Sequence, residues 1–526
     1  MQQQSTRQTI GRAIRTFCLL GLVVLGGLLA WYSVQAQFVT SRPTSASSAP
    51  AATASLRAQA AVPTANATSP PAPTIAPSPT ALAAAPRPAQ LAEAPNVRVS
   101  AGRFTGHSEV TLARNPRNSE NMVGASKMFT DNASYQFRIG TYVTQDGGQT
   151  WTDNGHLPGL EQFEVTSDPV VAFDNAGTAY VEVLAATRGS RSASSLYLYK
   201  SVDGGTTWGQ PLLVSDDARG FNDKQWLAVD LSGGPHDGNL YTAWVQIVDD
   251  TYRILFARST DAGATWSEPR VLAADERVAR QGPVVTVGSG GEVYVVWSNL
   301  SGSYFESSVS VDGGFSFTPP RHGLAFRNVD PLNGNLRRSF VLPALAADPR
   351  RPQTLYLVWD DGRLGDADVL FSRSTDGGAD WQAPVVINGD TTNDQFQPWV
   401  AADANGEVFV QWFDRRDDPA DLLVHTYAGR STDGGVTWSE LRVTNVASDP
   451  TVGLPLAGDA GFYGDYQALV ADDTAVQLFW NETRDGQQEV YSASIEDEHW
   501  GLPYAVREAG PARHNRSPAP EAIENE

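Results

Sequence analysis

Beyond residue 96 the chain is a succession of short apolar runs separated by clusters of Gly, Asp, Asn and Ser, which predicts strands and turns rather than long helices. One stretch shows the order. Asp168-Pro-Val-Val-Ala-Phe-Asp174 leads through Asn-Ala-Gly into Thr178-Ala-Tyr-Val-Glu-Val183, then a third run, Ser195-Leu-Tyr-Leu-Tyr-Lys200, and after a turn a fourth, Gln210-Pro-Leu-Leu-Val214. The first run recurs as Trp226-Leu-Ala-Val-Asp230, Pro283-Val-Val-Thr-Val287, Pro343-Ala-Leu-Ala-Ala-Asp348, Pro398-Trp-Val-Ala-Ala-Asp403 and Tyr466-Gln-Ala-Leu-Val-Ala-Asp472, and an earlier unit fits between Glu109 and Trp151. Turns such as Asp403-Ala-Asn-Gly406 join the first two runs with hairpin chemistry. Four strands per unit describe one blade of a β-propeller.

The turn between the third and fourth runs is itself a repeat, Ser/Thr-x-Asp-x-Gly-x-x-Trp. Clean copies are Ser201–Trp208, Ser259–Trp266, Ser374–Trp381 and Ser431–Trp438; Thr144–Trp151 starts with Thr, Ser310–Phe317 ends in Phe, and Ser494–Trp500 has lost its glycine. The aspartates Asp146, Asp203, Asp261, Asp312, Asp376 and Asp433 lie 57, 58, 51, 64 and 57 residues apart, a propeller period. First strands begin near 109, 168, 225, 283, 342, 398 and 466, which gives seven blades; six is the alternative if the terminal units merge. The seventh unit is expected to take its last strand near Leu502–Arg507, with Asn96–Ser100 as a closing strap. Of the 14 tryptophans, those ending a box or a second strand recur at fixed blade positions, as side chains packed between neighbouring sheets do.

The ends have another composition. Arg7, Arg12 and Arg15 precede an apolar stretch from Phe17 to Val34, so residues 1–36 read as a secretory signal or an uncleaved membrane anchor, and either one exports the rest. Residues 37–95 are rich in Ala, Pro, Ser and Thr and are expected to form a disordered linker; the propeller spans 96–510 and 511–526 is a polar tail. The one cysteine, Cys18, lies in the apolar stretch, which leaves no disulfide framework. Residues 1–96 hold six Arg and one Glu, so 32 basic and 58 acidic residues lie beyond, and that field disfavours nucleic acid. No cofactor and no metal site are expected, since the histidines are scattered; membrane contact is expected through the N-terminal segment alone, in a monomer.

Blade loops alternate between the faces of the disc, so the boxes mark one face and the loops after second strands the other. The boxes read as structural, with Ser, Thr and Asp tying the turn together. The opposite face collects charge: Arg363 follows Trp359, Asp414, Arg415 and Arg416 follow Trp412, and Glu482 and Arg484 follow Trp480, while Arg338, Asp465 and Tyr466 stand where first strands begin. Arginines there either clamp a carboxylate ligand or pair with neighbouring acids to brace the ring.

The repeat grammar, with phrases such as FNDKQWLAVD, FVQWFDRRDDP and GDYQALVADD, resembles the bacterial BNR/Asp-box proteins of the sialidase superfamily over roughly residues 96–495. Sialidases use three arginines for the substrate carboxylate, a Tyr activated by a Glu, and an Asp as acid/base. The resemblance therefore implies Tyr466 as nucleophile, Glu482 as its partner, Asp414 as acid, and substrate contacts from Arg338, Arg363, Arg415, Arg416, Arg484 and Asp465. The Phe137-Arg138-Ile139 triplet is followed by Gly140 and lies on a third strand, so it does not stand in for the sialidase Arg-Ile-Pro signature. Two function classes remain: an exported glycoside hydrolase acting on terminal acidic sugars, or a non-catalytic propeller that binds glycans or proteins at the same rim.

Overall fold

A computed structural model describes residues 90–512 except 93, 188–193, 217–219, 330–331, 335, 338–339 and 458–459. The leader, most of the expected linker, the end of the tail, and Arg338 lie outside the described residues. Seven antiparallel sheets form seven blades. Blade 1 runs Gly106–Asn115, Asn118–Asp131, Gln136–Thr144 and Thr152–His156. Blades 2, 3 and 4 start with Val165–Phe173, Phe221–Val229 and Arg280–Val287. Blades 5, 6 and 7 start with Ala344–Ala347, Gln395–Ala402 and Ala468–Ala471. First strands touch one another in sequence around the ring, from blade 1 on to blade 7 and back to blade 1, so they line the axis. No helix among the described residues is long and apolar enough to cross a membrane.

Closure of the ring differs in one respect from the sequence expectation. Blade 7 takes its fourth strand from the front of the domain: Val97–Arg98 pairs antiparallel with Tyr491 and Ser492. That edge being filled, residues 502–508 find other edges. Tyr504–Ala505 pairs with Thr437 and Trp438 of blade 6, and Arg507–Glu508 pairs with Val385–Val386 of blade 5. Gln90–Leu91, inside the stretch expected as linker, pairs parallel with Leu441 and Arg442 of blade 6.

The core lies between blades rather than within them, because each sheet is apolar on both faces. Val123 and Val143 of blade 1 meet Val171, Val181 and Tyr199 of blade 2, and comparable clusters fill the later gaps. Box tryptophans bridge the same gaps. The Trp208 indole donates to Thr141 Oγ1 of the preceding blade at 3.1 Å, and Trp151 donates to Ser492 Oγ of blade 7 at 3.0 Å. Six boxes close on themselves: in Ser259–Trp266 the serine hydroxyl donates to Asp261 Oδ1 at 2.8 Å, and Thr265 donates to the same carboxylate through its backbone N–H at 2.9 Å and its hydroxyl at 2.5 Å. These bonds hold the Asp261 carboxyl at about 2, below its ordinary value.

Candidate active site

The axis is shaped by a defect repeated in the inner strands. In blades 1, 2, 3, 4 and 6 the pairing of first and second strands slips across residues 108–111, 167–170, 223–226, 281–284 and 396–399. Such a bulge re-aims one side chain. The residue after the slip begins has left-handed backbone in all five: Glu109 at φ 53°, Asp168 at 51°, Lys224 at 50°, Gly282 at 61° and Gln397 at 56°. Four of the five are not glycine, and that conformation is uncommon for such residues, so the surrounding ring must hold it in place. By sequence alignment Leu342 and Tyr466 occupy the same position in blades 5 and 7.

These seven positions converge. The Lys224 ammonium stands 2.9 Å from Glu109 Oε1, 3.2 Å from Asp168 Oδ1 and 2.5 Å from Asp465 Oδ2, and so binds blade 3 to blades 1, 2 and 7. Lys127 pairs with Glu109 and lies 3.8 Å from Asp168. Tyr466, its ring 5.3 Å from the Lys224 ammonium, is buried, and its hydroxyl has no hydrogen-bond partner among the described residues. Two residues further along their strands, Trp226 and Trp399 meet across the axis with ring centres 4.7 Å apart. They line one side of a small pocket at the axis, about 20 Å³ in volume. Its walls are Asp168, Lys224 and Tyr466 on one side and Gly282, Leu342 and Pro343 on the other.

Burial and neighbouring charge divide the carboxyls of this pocket. Burial pushes Asp223 up to about 6, helped by the charge on Asp168; Lys224 and a 2.8 Å hydrogen bond from Gln281 pull the other way. Burial likewise raises Glu109 to about 7 against Lys127 and Lys224. For Asp168 burial acts upward, but Lys224 and Lys127 overcome it and leave the group below the usual carboxylate range. Lys224 is raised, because Asp168, Asp465 and Glu109 outweigh the effect of burial. A carboxyl below the usual range beside two raised to about 6 and about 7 is a separation that acid/base chemistry can use.

Among the described residues, the arginines expected to clamp a ligand are engaged with neighbouring groups of the ring. On three successive blades a Trp indole and an Arg close on the same carboxylate. Trp359 and Arg363 hold Asp361 Oδ2 at 2.9 and 2.7 Å, and Trp412 and Arg416 hold Asp414 Oδ2 at 2.8 and 2.6 Å. Trp480 donates to Glu482 at 3.1 Å, and Arg484 pairs with it. Arg416 also reaches Glu440 at 2.7 Å and lies over Tyr427, as Arg484 lies over Tyr491. Arg415 is buried, 3.6 Å from Asp394, and donates to the carbonyls of Asp421 and Asn333.

Of the residues named from sequence, Tyr466 lines the pocket and Asp465 pairs with Lys224, which also lines it. Glu482, which burial raises to about 7, sits in a brace with Arg484; the charges acting on Tyr466 are those of Glu109, Asp168, Lys224 and Asp465. Arg138 donates to the Leu160 carbonyl at 3.0 Å, off the axis, on the third strand where the sequence put it. Sequence reading gave no site role to Glu109, Asp168, Asp223, Lys224, Trp226 or Trp399. Their signal was available: each stands at the edge of an aligned first run, where blades differ in charge while their apolar core positions agree.

The fold and its turns define the class, a seven-bladed β-propeller with Asp-box turns. Residues 238–451 match the family described as BNR repeat-like domain. That match and the self-closed boxes mark the repeats as similar to the BNR/Asp-box type. Comparison with curated protein sequences gives no match. Similar solved structures include a protein of unknown function from Dyadobacter fermentans DSM 18053, with 15% identity over 76% of this chain and 97% of that one and a TM-score of 0.43. The Penicillium chrysogenum alpha-L-arabinanase complexed with arabinobiose has 12% identity over 78% of this chain and 98% of its own, with a TM-score of 0.43. The NanB sialidase from Streptococcus pneumoniae has 11% identity over 79% and 71%, with a TM-score of 0.41. At these scores none bears on what this chain does.

Proposed function

We propose that this propeller is a glycoside hydrolase whose active centre lies at the inner-strand carboxyls around the axis. The observation that carries the reading is the pair of carboxyls on adjacent bulges, Asp168 held below the usual carboxylate range and Asp223 raised to about 6, near the Trp226–Trp399 pair. Indole faces suit the C–H face of a sugar ring. Asp223 then gives its proton to the leaving glycosidic oxygen, Asp168 faces the anomeric carbon or the attacking water, and one water is consumed. Lys224 keeps Asp168 charged, and Glu109 shares a hydrogen bond with it.

The test is release of sugar from aryl glycosides and oligosaccharides by the full-length chain. Asp168→Asn and Asp223→Asn are each expected to lower kcat by about a hundredfold or more, with unchanged melting temperature as the check on folding. An aryl glycoside with a good leaving group needs little acid help, so it should restore Asp223→Asn and not Asp168→Asn. Turnover indifferent to both changes would place the chemistry elsewhere. A second reading, a propeller that binds glycans without cleaving them, is favoured by how fully the lysines are already neutralised; binding with no turnover of any glycoside selects it. We extend the proposal to export, on the strength of the residue 1–36 segment, with cell fractionation as its measurement.

A further inference from the structure

We infer that the seam between blades 7 and 1 is an acid-operated latch, in which the strap at residues 97–105 is held shut over His107 and protonation of that imidazole releases it. The strap is slight. Val97–Arg98 pairs with Ser492 and Tyr491, the Val99 N–H donates to the Val490 carbonyl at 2.8 Å, and the Val99 side chain packs with Val110, Tyr142 and Phe479 between the two blades. Its polar anchorage gathers on one buried carboxylate. Arg98 donates to Glu489 Oε1 at 2.5 Å, Gln487 donates to the same oxygen, and the Ser100 hydroxyl donates to Glu489 Oε2. Arg98 also lies 3.3 Å from Asp485. The far end is tied to blade 1 through Asp153, which pairs with Arg103 at 2.7 Å and accepts the Ala101 N–H at 3.0 Å.

His107, at the start of the first strand of blade 1, is where this anchorage meets a titratable group. The side chain is buried, with Nδ1 2.6 Å from the Tyr142 hydroxyl, itself 2.8 Å from Ser126 Oγ. Nε2 makes no hydrogen bond among the described residues and stands 3.5 Å from Glu489 Oε2, the oxygen that holds Ser100. Phe104 of the strap meets the His107 ring edge-on at 5.9 Å and lies 4.5 Å from the ring of His156, so one strap residue covers both imidazoles. The charged and titratable groups facing His107 are Arg98 from the strap, Glu489 from blade 7, and Asp153, His156 and Tyr142 from blade 1. Burial is the largest influence and holds the imidazole at about 3 rather than 6.5; Arg98 and His156 act with it, and Asp153 acts against it. Burial lowers His156 as well. Lifting the strap hydrates His107 and returns it to its ordinary value. Between about 6.5 and about 3 the open seam therefore takes a proton that the closed seam refuses. Closure is complete above that window and weakens by about tenfold per pH unit as pH falls through it.

The experiment is amide hydrogen exchange of the full-length chain, read by mass spectrometry from about pH 7 to about pH 4 and corrected for the intrinsic exchange rate. Protection of residues 97–105 and 489–492 is expected to fall by about tenfold per pH unit below about 6.5, while the blade 3 hairpin at residues 240–259 keeps its protection. His107→Gln keeps a polar side chain that takes no proton, so its strap should stay equally protected across the range. Arg98→Met loosens the strap at every pH and should leave the slope in place; because Arg98 is part-exposed, this variant serves if His107→Gln does not fold. Strap protection indifferent to pH in the wild type or in Arg98→Met overturns the inference. So does an unchanged slope in His107→Gln, or a loss of protection shared by all blades at once.

Discussion

Asp168 and Asp223 stand at the bulges of neighbouring blades and are driven in opposite directions, and the difference comes from partners rather than residue type. Asp168 lies against two ammonium groups; Asp223 has a Gln amide for its hydrogen bond and Asp168 for a neighbour. If Asp223 is the proton donor, activity must fall as pH rises through about 6. Gln281→Leu removes a bond that favours the ionised form, so it should move that limb of the pH–rate profile upward; an unmoved limb would exclude Asp223 as the donor. A second buried acid lies away from the pocket. Glu182, between blades 2 and 3, accepts from Thr242 Oγ1 at 2.8 Å, and burial raises it from 4.5 to about 8. Between those values the folded chain keeps a proton that the unfolded chain loses, so this group's contribution to stability declines as pH rises and is spent above about 8. Glu182→Gln should therefore gain in melting temperature over wild type at about pH 9 relative to about pH 5.

At the scale of the element, the Trp–carboxylate–Arg brace engages Arg363, Arg416 and Arg484 on three successive blades. The motif was visible in Trp359–Arg363, Trp412–Arg416 and Trp480–Arg484, but its residue types fit a ligand clamp equally well. Distances within a blade decide the matter, and a linear sequence does not hold them. Arg416→Met leaves the buried Asp414 with the indole and no cation, which should destabilise the fold by about 3–5 kcal/mol in thermal melts while KM stays put. A loss of substrate affinity at unchanged stability would restore the clamp. The bulges were harder to read. The aligned runs begin at or just after them, at Asp168, Trp226, Pro283 and Pro398, so the strand pattern was legible and the inward residue looked like its punctuation. A one-residue slip in pairing leaves no hydrophobic signature, and it alone turns Glu109, Lys224 and Gln397 toward the axis.

For the whole molecule the sequence was most informative, since a repeat of fixed length must stack and the apolar alternation fixes which faces meet. Blade number and phase followed from it, as did the strap at residues 96–100. The positions of the tails did not, because an exposed strand edge accepts any short extended segment and nothing in Tyr504–Glu508 names its partner. Removing residues 502–526 uncovers the outer edges of blades 5 and 6 and the Tyr504 hydroxyl bond to the Ile387 carbonyl, 2.5 Å long. A lower melting temperature with intact kcat is the expected outcome. The front strand has a consequence of another kind. Val97–Arg98 leaves the ribosome before any blade, and its partners Tyr491 and Ser492 emerge after six blades are complete. Every other blade can form from neighbouring hairpins in order of synthesis, but this seam has the longest sequence separation of any strand pair in the ring and its loop-closure entropy comes last. The seventh blade is therefore completed by a strand made before all seven blades, which has no partner in its own sheet until residues 491–492 have been synthesised.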